Sequence, residues 1–143
     1  MFELPRRYAE EMIAHAREEA PNECCGILAG EGSRVLRLYR AVNAEHSPYR
    51  FDIDSRDLYR IHAEVEALGW EFVAIYHSHP QSEAYPSPTD VAMARLPGPG
   101  ETVALWPGTV YLIVSPAGPG SPQLRAFRIE KGAVVEEALE LTG

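Results

Sequence analysis

The chain is short of positive charge: 13 Lys and Arg stand against 21 Asp and Glu, a formal net charge of −8 with a sequence pI near 5.1. It lacks the basic footprint that attracts phosphate backbones or anionic lipid surfaces, so no nucleic acid and no membrane is expected among its partners. Long hydrophobic runs are missing as well. The longest, such as Phe72 to Tyr76 and Val110 to Val114, fall far below the ~20 residues of a membrane helix. The N-terminus reads as an amphipathic start without the apolar core of a signal peptide, and a cytoplasmic protein is expected. Cysteine is scarce: Cys24 and Cys25 are adjacent, and neighbours on an extended chain point to opposite faces. Neither a disulfide framework nor a two-thiolate metal clamp is available, and a reducing compartment fits. Lysine is confined to Lys131 and side-chain amides to Asn22, Asn43, Gln81 and Gln123, a bias that heat adaptation and GC-rich coding would both produce. Internal repeats and low-complexity linkers are absent.

What is present is ordinary globular composition, 45% hydrophobic and 24% charged with 11 Gly and 12 Pro. At 143 residues it predicts a single domain, residues 1–143, burying roughly 68% of its unfolded surface without staples. From Pro5 to Ala20 the apolar positions Tyr8, Ala9, Met12, Ile13, Ala16 and Ala20 recur at helical spacing, and Pro21 ends that helix. Its charged side carries His15 among Glu11, Glu18 and Glu19, which predicts a solvated histidine. Cys24 to Ala29 and Arg34 to Val42 read as a hairpin turning at Gly30, Glu31 and Gly32. A loop through Asn43 to Tyr49, holding a solvated His46, leads to a short strand at Phe51 to Ile53. Asp54 or Ser55 caps a second helix with Leu58, Ile61, His62, Val65 and Leu68 on one stripe, closed by Gly69. That placement makes His62 a packed or locally hydrogen-bonded core residue rather than a ligand. Trp70 to Tyr76 reads as a central strand buried on both faces. Beyond the Pro-rich loop Pro80 to Pro86, a short helix starts at Ser87 with Pro88 at its first position, carries Val91, Ala92 and Ala94, and stops before Pro97. Thr109 to Ser115 and Gln123 to Glu130 are further strands, and a turn at Lys131-Gly132 leads into Ala133 to Leu141, strand or helix.

His77-Ser78-His79 leaves the end of the central strand, so the two imidazoles share a face. Such a pair can hold one borderline-soft divalent ion, and a carboxylate from the following helix can supply a third ligand, leaving the fourth position to water as in catalytic zinc sites. A His-x-His pair alone is a weak signal, and Ser87-x-x-Asp90 is also a capping-box pattern that needs no metal. The two halves together, with Glu23 upstream as a base, favour the metal.

The pattern Glu23, His77-Ser78-His79, the seven residues Pro80 to Pro86, Ser87, Pro88-Thr89, Asp90 closely resembles that of the JAMM metallopeptidases, also called the MPN, Mov34 or JAB domain family. Pro21 to Leu28 resembles the family's opening strand and Tyr111 to Ser115 a later one, so the similarity covers most of the chain. The resemblance implies an α/β fold like that of cytidine deaminases, a curved mixed sheet with helices packed around it, in the short prokaryotic form. It implies one Zn2+ per chain held by His77, His79 and Asp90, with Glu23 as general acid/base and Ser87 as the hydroxyl supporting the reacting oxygen. The implied substrate is the amide or isopeptide bond after the C-terminal Gly-Gly of a ubiquitin-like or sulfur-carrier protein, joined to a lysine or to cysteine in a carrier adduct.

Rival readings keep the metal and change the target, to another peptide, a cell-wall amide or a DNA-repair-associated role, or make the chain a non-catalytic MPN scaffold. Scaffold members lack ligands that are all present here. Whether the chain forms a homodimer is left open by the sequence. Cys24 and Cys25 read as small buried strand residues rather than nucleophiles.

Overall fold

The apolar run after Trp70 demands cover on both faces, and the rest of the molecule supplies it. In the computed structural model, which describes residues 1–93, 95–98, 101–104, 109–117, 120, 122–130 and 132–143, the elements follow in this order. They are β1 (Phe2–Pro5), α1 (Arg6–Glu19), β2 (Cys25–Glu31), β3 (Arg34–Ala41), α2 (Ser55–Ala67), β4 (Glu71–Ser78), α3 (Pro88–Met93), β5 (Arg95–Gly98), β6 (Glu101–Ala104), β7 (Val110–Ser115), β8 (Gln123–Glu130), β9 (Ala133–Glu137) and β10 (Leu139–Thr142). Six strands form one mixed sheet in the order β3-β2-β4-β7-β8-β9, in which β4 and β7 run parallel and the other neighbours antiparallel. The expected mixed α/β architecture is therefore present, with β4 near its centre and buried from Val73 to Ser78.

Strand alternation sorts the core into two layers. On one face Ala9, Met12 and Ala16 of α1 pack with Leu28, Ala74, Tyr76, Leu112 and Val114. On the other, Ile61 and Val65 of α2 pack with Ile27, Ala29 and Ile75. Cys24 joins the first layer and Cys25 the second, as adjacent extended residues must. Burial pushes the Cys24 thiol up to about 12 and raises that of Cys25 too, which keeps both protonated and unreactive. Asp54 caps α2, its carboxylate accepting from the N–H groups of Arg56 and Asp57. Gly69, at φ +73°, releases the chain into β4. No helix among the described residues is long and apolar enough to cross a membrane.

Several expectations are corrected. His15 is buried, not solvated, and its Nδ1 lies 2.8 Å from the Tyr76 hydroxyl. The stripe that α1 presents to the sheet is wider than its apolar residues alone define, and a buried phenol supplies the imidazole with a partner. His62 is exposed, 3.9 Å from Glu66 and edge-on to Phe72 with ring centroids 5.9 Å apart, because the buried stripe of α2 runs through Ile61 and Val65, with Leu58 partly buried beside them. Phe51 to Ile53 is no strand: a single bridge joins Ile53 to Asn43. Ala133 to Leu141 resolves into β9 and β10, the latter pairing in parallel with β1, a strand too short and too close to α1 to show its own period. Arg95–Gly98 and Glu101–Ala104, which the sequence reading leaves without strands, pair antiparallel as β5 and β6. Ala94 and Lys131, assigned to a helix and a turn, lie outside the described residues.

Gly26 sits on β2 in register with Tyr76, and a Cβ there would collide with the Tyr76 ring and the Tyr39 carbonyl. Neither can retreat, since the phenol is anchored by His15 and the carbonyl is backbone. Gly26→Ala should cost about 1–3 kcal/mol through overpacking, read as a lower urea midpoint. An unchanged midpoint would contradict this close approach.

Candidate active site

The site is assembled by the β2–β4 ladder, in which Cys25 pairs with His77. Continuing that antiparallel register sets Cys24 against Ser78: the Ser78 N–H donates to the Cys24 carbonyl at 3.1 Å, and the Cys24 N–H donates to Ser78 Oγ at 2.8 Å. The next step brings Glu23 level with His79. This is how a residue 54 positions upstream of His77 reaches the same place. The His79 N–H donates to the Val114 carbonyl at 2.9 Å, so both histidines are held by backbone pairing before their side chains are considered.

Asp90 arrives from the other side. The loop after His79 is pinned where Ser115 Oγ donates to the Ser82 carbonyl at 2.6 Å and where Ala84 packs against Ile113 and Phe127. Ser87 then caps α3: its Oγ accepts from the Asp90 N–H at 3.1 Å while its own N–H donates to Asp90 Oδ2 at 2.9 Å. The capping-box reading of Ser87 and Asp90 is therefore realised, and it aims the same Oδ2 at the imidazoles.

Three atoms meet there. His77 Nε2 and His79 Nε2 are 3.2 Å apart, and Asp90 Oδ2 is 3.1 Å from the first and 3.0 Å from the second. His79 Nδ1 lies 2.8 Å from the Glu83 carbonyl, which only accepts, so Nδ1 carries a proton and Nε2 presents a lone pair in the neutral ring. Lone pairs packed this closely out of water repel unless a proton or cation lies between them. A tetrahedral ion with ligands at ~2.0 Å spaces them ~3.3 Å apart, close to the triangle found. Among the described residues this is the one His/Cys/Asp/Glu group so disposed, and it fits a metal ion.

Electrostatics follow from enclosure. Burial lowers the His77 pKa by more than Asp90 raises it. For His79 burial also works downward, but the Asp90 hydrogen bond, the Glu83 carbonyl and the Asp90 and Glu23 charges outweigh it, and the pKa is raised. Burial would raise Asp90, yet His77, His79 and the Ser87 N–H together hold its carboxyl well below the usual carboxylate range. Relative exposures of 3% for Glu23, 1% for His77, 4% for His79 and 7% for Asp90 leave little room around the reacting position. Burial pushes Glu23 up to about 8, against the pull of His79 and with a further push from Asp90. Its Oε1 has no hydrogen-bond partner among the described residues.

All five residues singled out in the sequence are thus found around one spot, four buried and Ser87 half-buried at its rim. Two others went unrecognised. Phe51 lies face to face with His77, ring centroids 4.4 Å apart and planes 20° from parallel. Asn43 Nδ2 donates to the Glu23 carbonyl at 3.1 Å. An Asn opening a loop is a turn signal, but nothing in one sequence ties it to Glu23.

Residues 5–130 match the family described as prokaryotic homologs of the JAB domain. The chain is 41% identical over 132 residues to the CysO-cysteine peptidase of Mycobacterium tuberculosis, covering 91% of this chain and 84% of that one. It is 35% identical over 116 residues to the desampylase of Haloferax volcanii, covering 76% of each. The solution structure of a Desulfitobacterium hafniense protein superposes with a TM-score of 0.82 at 35% identity, covering 99% of this chain and 93% of that one. With its motif positions gathered at one buried spot, the chain belongs to the prokaryotic JAB family, the short form of the JAMM, or MPN, domain proteins.

Proposed function

We propose that the protein is a zinc metallopeptidase that hydrolyses the amide or isopeptide bond after the C-terminal Gly-Gly of a ubiquitin-like or sulfur-carrier protein, freeing a lysine or a carrier-bound cysteine. The observation that carries this reading is the convergence of His77 Nε2, His79 Nε2 and Asp90 Oδ2 beside the buried Glu23 carboxyl. The mycobacterial relative is named for peptidase action on a CysO–cysteine adduct, which favours such a carrier here. Enclosure supports a glycine tail, because a backbone without side chains can approach a site so little exposed. The reading places the protein in a reducing cytoplasm, consistent with its two free cysteines.

One zinc would be held by His77, His79 and Asp90. When bound, zinc polarises the scissile carbonyl and makes water acidic enough to lose a proton near neutral pH. Glu23 takes that proton. The same carboxyl then returns the proton to the departing amine, which leaves poorly as an anion. Ser87 Oγ already accepts from the Asp90 N–H, so its own hydrogen is free to donate to the oxyanion that develops. The Glu83 carbonyl holds the tautomer of His79, and Phe51 covers the open face of His77.

Metal-free protein should take up one zinc per chain, and at free zinc 100-fold above Kd the gain in stability is about 2.7 kcal/mol, read as a rise in Tm. Ser87→Ala should keep that shift and His77→Ala lose it; the reverse ranking would overturn the assignment. Glu23→Gln keeps the shape of the side chain but cannot accept a proton, so turnover of a carrier–cysteine adduct should fall roughly 10²–10⁴-fold with zinc content unchanged. Normal turnover would leave the mechanism without its base, and loss of zinc would make Glu23 a ligand.

A further inference from the structure

We propose that Asn43 is a positioning residue for Glu23, acting through the loop that runs from it to Ile53. The inference rests on the reading of Glu23 as the proton carrier and goes beyond it by naming what holds that carboxyl in place.

Glu23 lies outside the sheet ladder, since β2 begins at Cys25. Its main chain is instead held on both sides by one loop: its N–H donates to the Ser47 carbonyl at 2.8 Å, and its carbonyl accepts from Asn43 Nδ2 at 3.1 Å. That loop has almost no regular structure of its own, only the bridge from Asn43 to Ile53. The Asn43 side chain takes over the role of a ladder. Nδ2 also donates to the Arg50 carbonyl at 3.1 Å, and Oδ1 accepts from the N–H groups of Glu45 and Asp52, both at 3.0 Å. Two donors and two acceptor sites are therefore all in use, on a buried side chain. One amide draws the two limbs of the loop together and fastens them to Glu23.

The same loop carries Phe51, whose ring lies on His77. Asn43 thus links the backbone of the acid/base to the residue that covers a ligand imidazole. A buried amide with every hydrogen bond made specifies one geometry, because any displacement leaves several polar groups unpaired at once. Proton transfer is sensitive to such displacement: a shift of about 1 Å can cost 10²-fold.

Asn43→Asp separates the two halves of this network. The variant keeps an acceptor for Glu45 and Asp52 but turns an oxygen toward the Glu23 and Arg50 carbonyls, where a donor is required. With the zinc-loaded protein and a carrier–cysteine adduct, kcat should fall roughly 10–100-fold, while KM and zinc affinity, measured by competition with a chelating dye, stay within about twofold. Placing Asn43→Asp in the Glu23→Gln background should cause no further loss beyond about twofold, since no proton carrier remains to be positioned. A full multiplicative loss in that background would overturn the proposal while leaving the role of Glu23 intact. So would a lowered urea midpoint with kcat per folded molecule unchanged. Normal turnover by Glu23→Gln alone would overturn both readings. Should Asn43→Asp not fold, Asn43→Ser, too short to reach the Glu23 carbonyl, takes its place in the same cycle with the same expectations.

Discussion

Two imidazole nitrogens and a carboxylate oxygen meeting within 3.2 Å of one another in a buried pocket are a constraint that the surrounding structure must satisfy. Left to themselves, these three polar atoms would turn toward water. They are prevented from doing so one at a time. His77 is fixed by strand pairing on both sides of β4 and His79 by its N–H on the Val114 carbonyl, the tautomer of His79 is set by the Glu83 carbonyl, and Asp90 is committed to the cap of α3. Each restraint is an ordinary element of secondary structure used at its end. Together they leave a cation as the natural occupant.

Enclosure has a second effect on Glu23. The desolvation that raises its carboxyl to about 8 comes from the placement that sets it level with His79, two register steps beyond the paired part of β2. The low exposure of the site also bears on what can enter, since a tail of glycines brings no side chains to be accommodated.

Much of this was legible in the residues themselves. The run from Phe72 to Tyr76 announces a doubly covered strand, and the spacing from His77 through Ser87 to Asp90 announces a strand-to-helix site. Glu23 could be picked out by resemblance, although its distance from His79 depends on a register that only pairing establishes. What escaped was whatever depends on a partner far along the chain. His15 looks solvated by helical pattern, yet the hydroxyl that makes its burial tolerable sits 61 residues away on Tyr76. The segment from Phe51 to Ile53 has strand-like residues but no neighbour to pair with beyond one bridge, so it became the loop that Asn43 organises. The partnership of β1 with β10 joins the two ends of the chain, which local periodicity cannot foresee.

The most direct measurement is mass spectrometry of a diglycine-tailed sulfur-carrier protein, supplied both as its cysteine adduct and as a lysine conjugate, after incubation with the zinc-loaded protein. The account predicts a carrier ending at its native Gly-Gly carboxylate together with free cysteine or unmodified lysine, and no cleavage when the terminal glycines are replaced by valine. Intact carrier adducts, or cuts at other positions in the carrier chain, would contradict it.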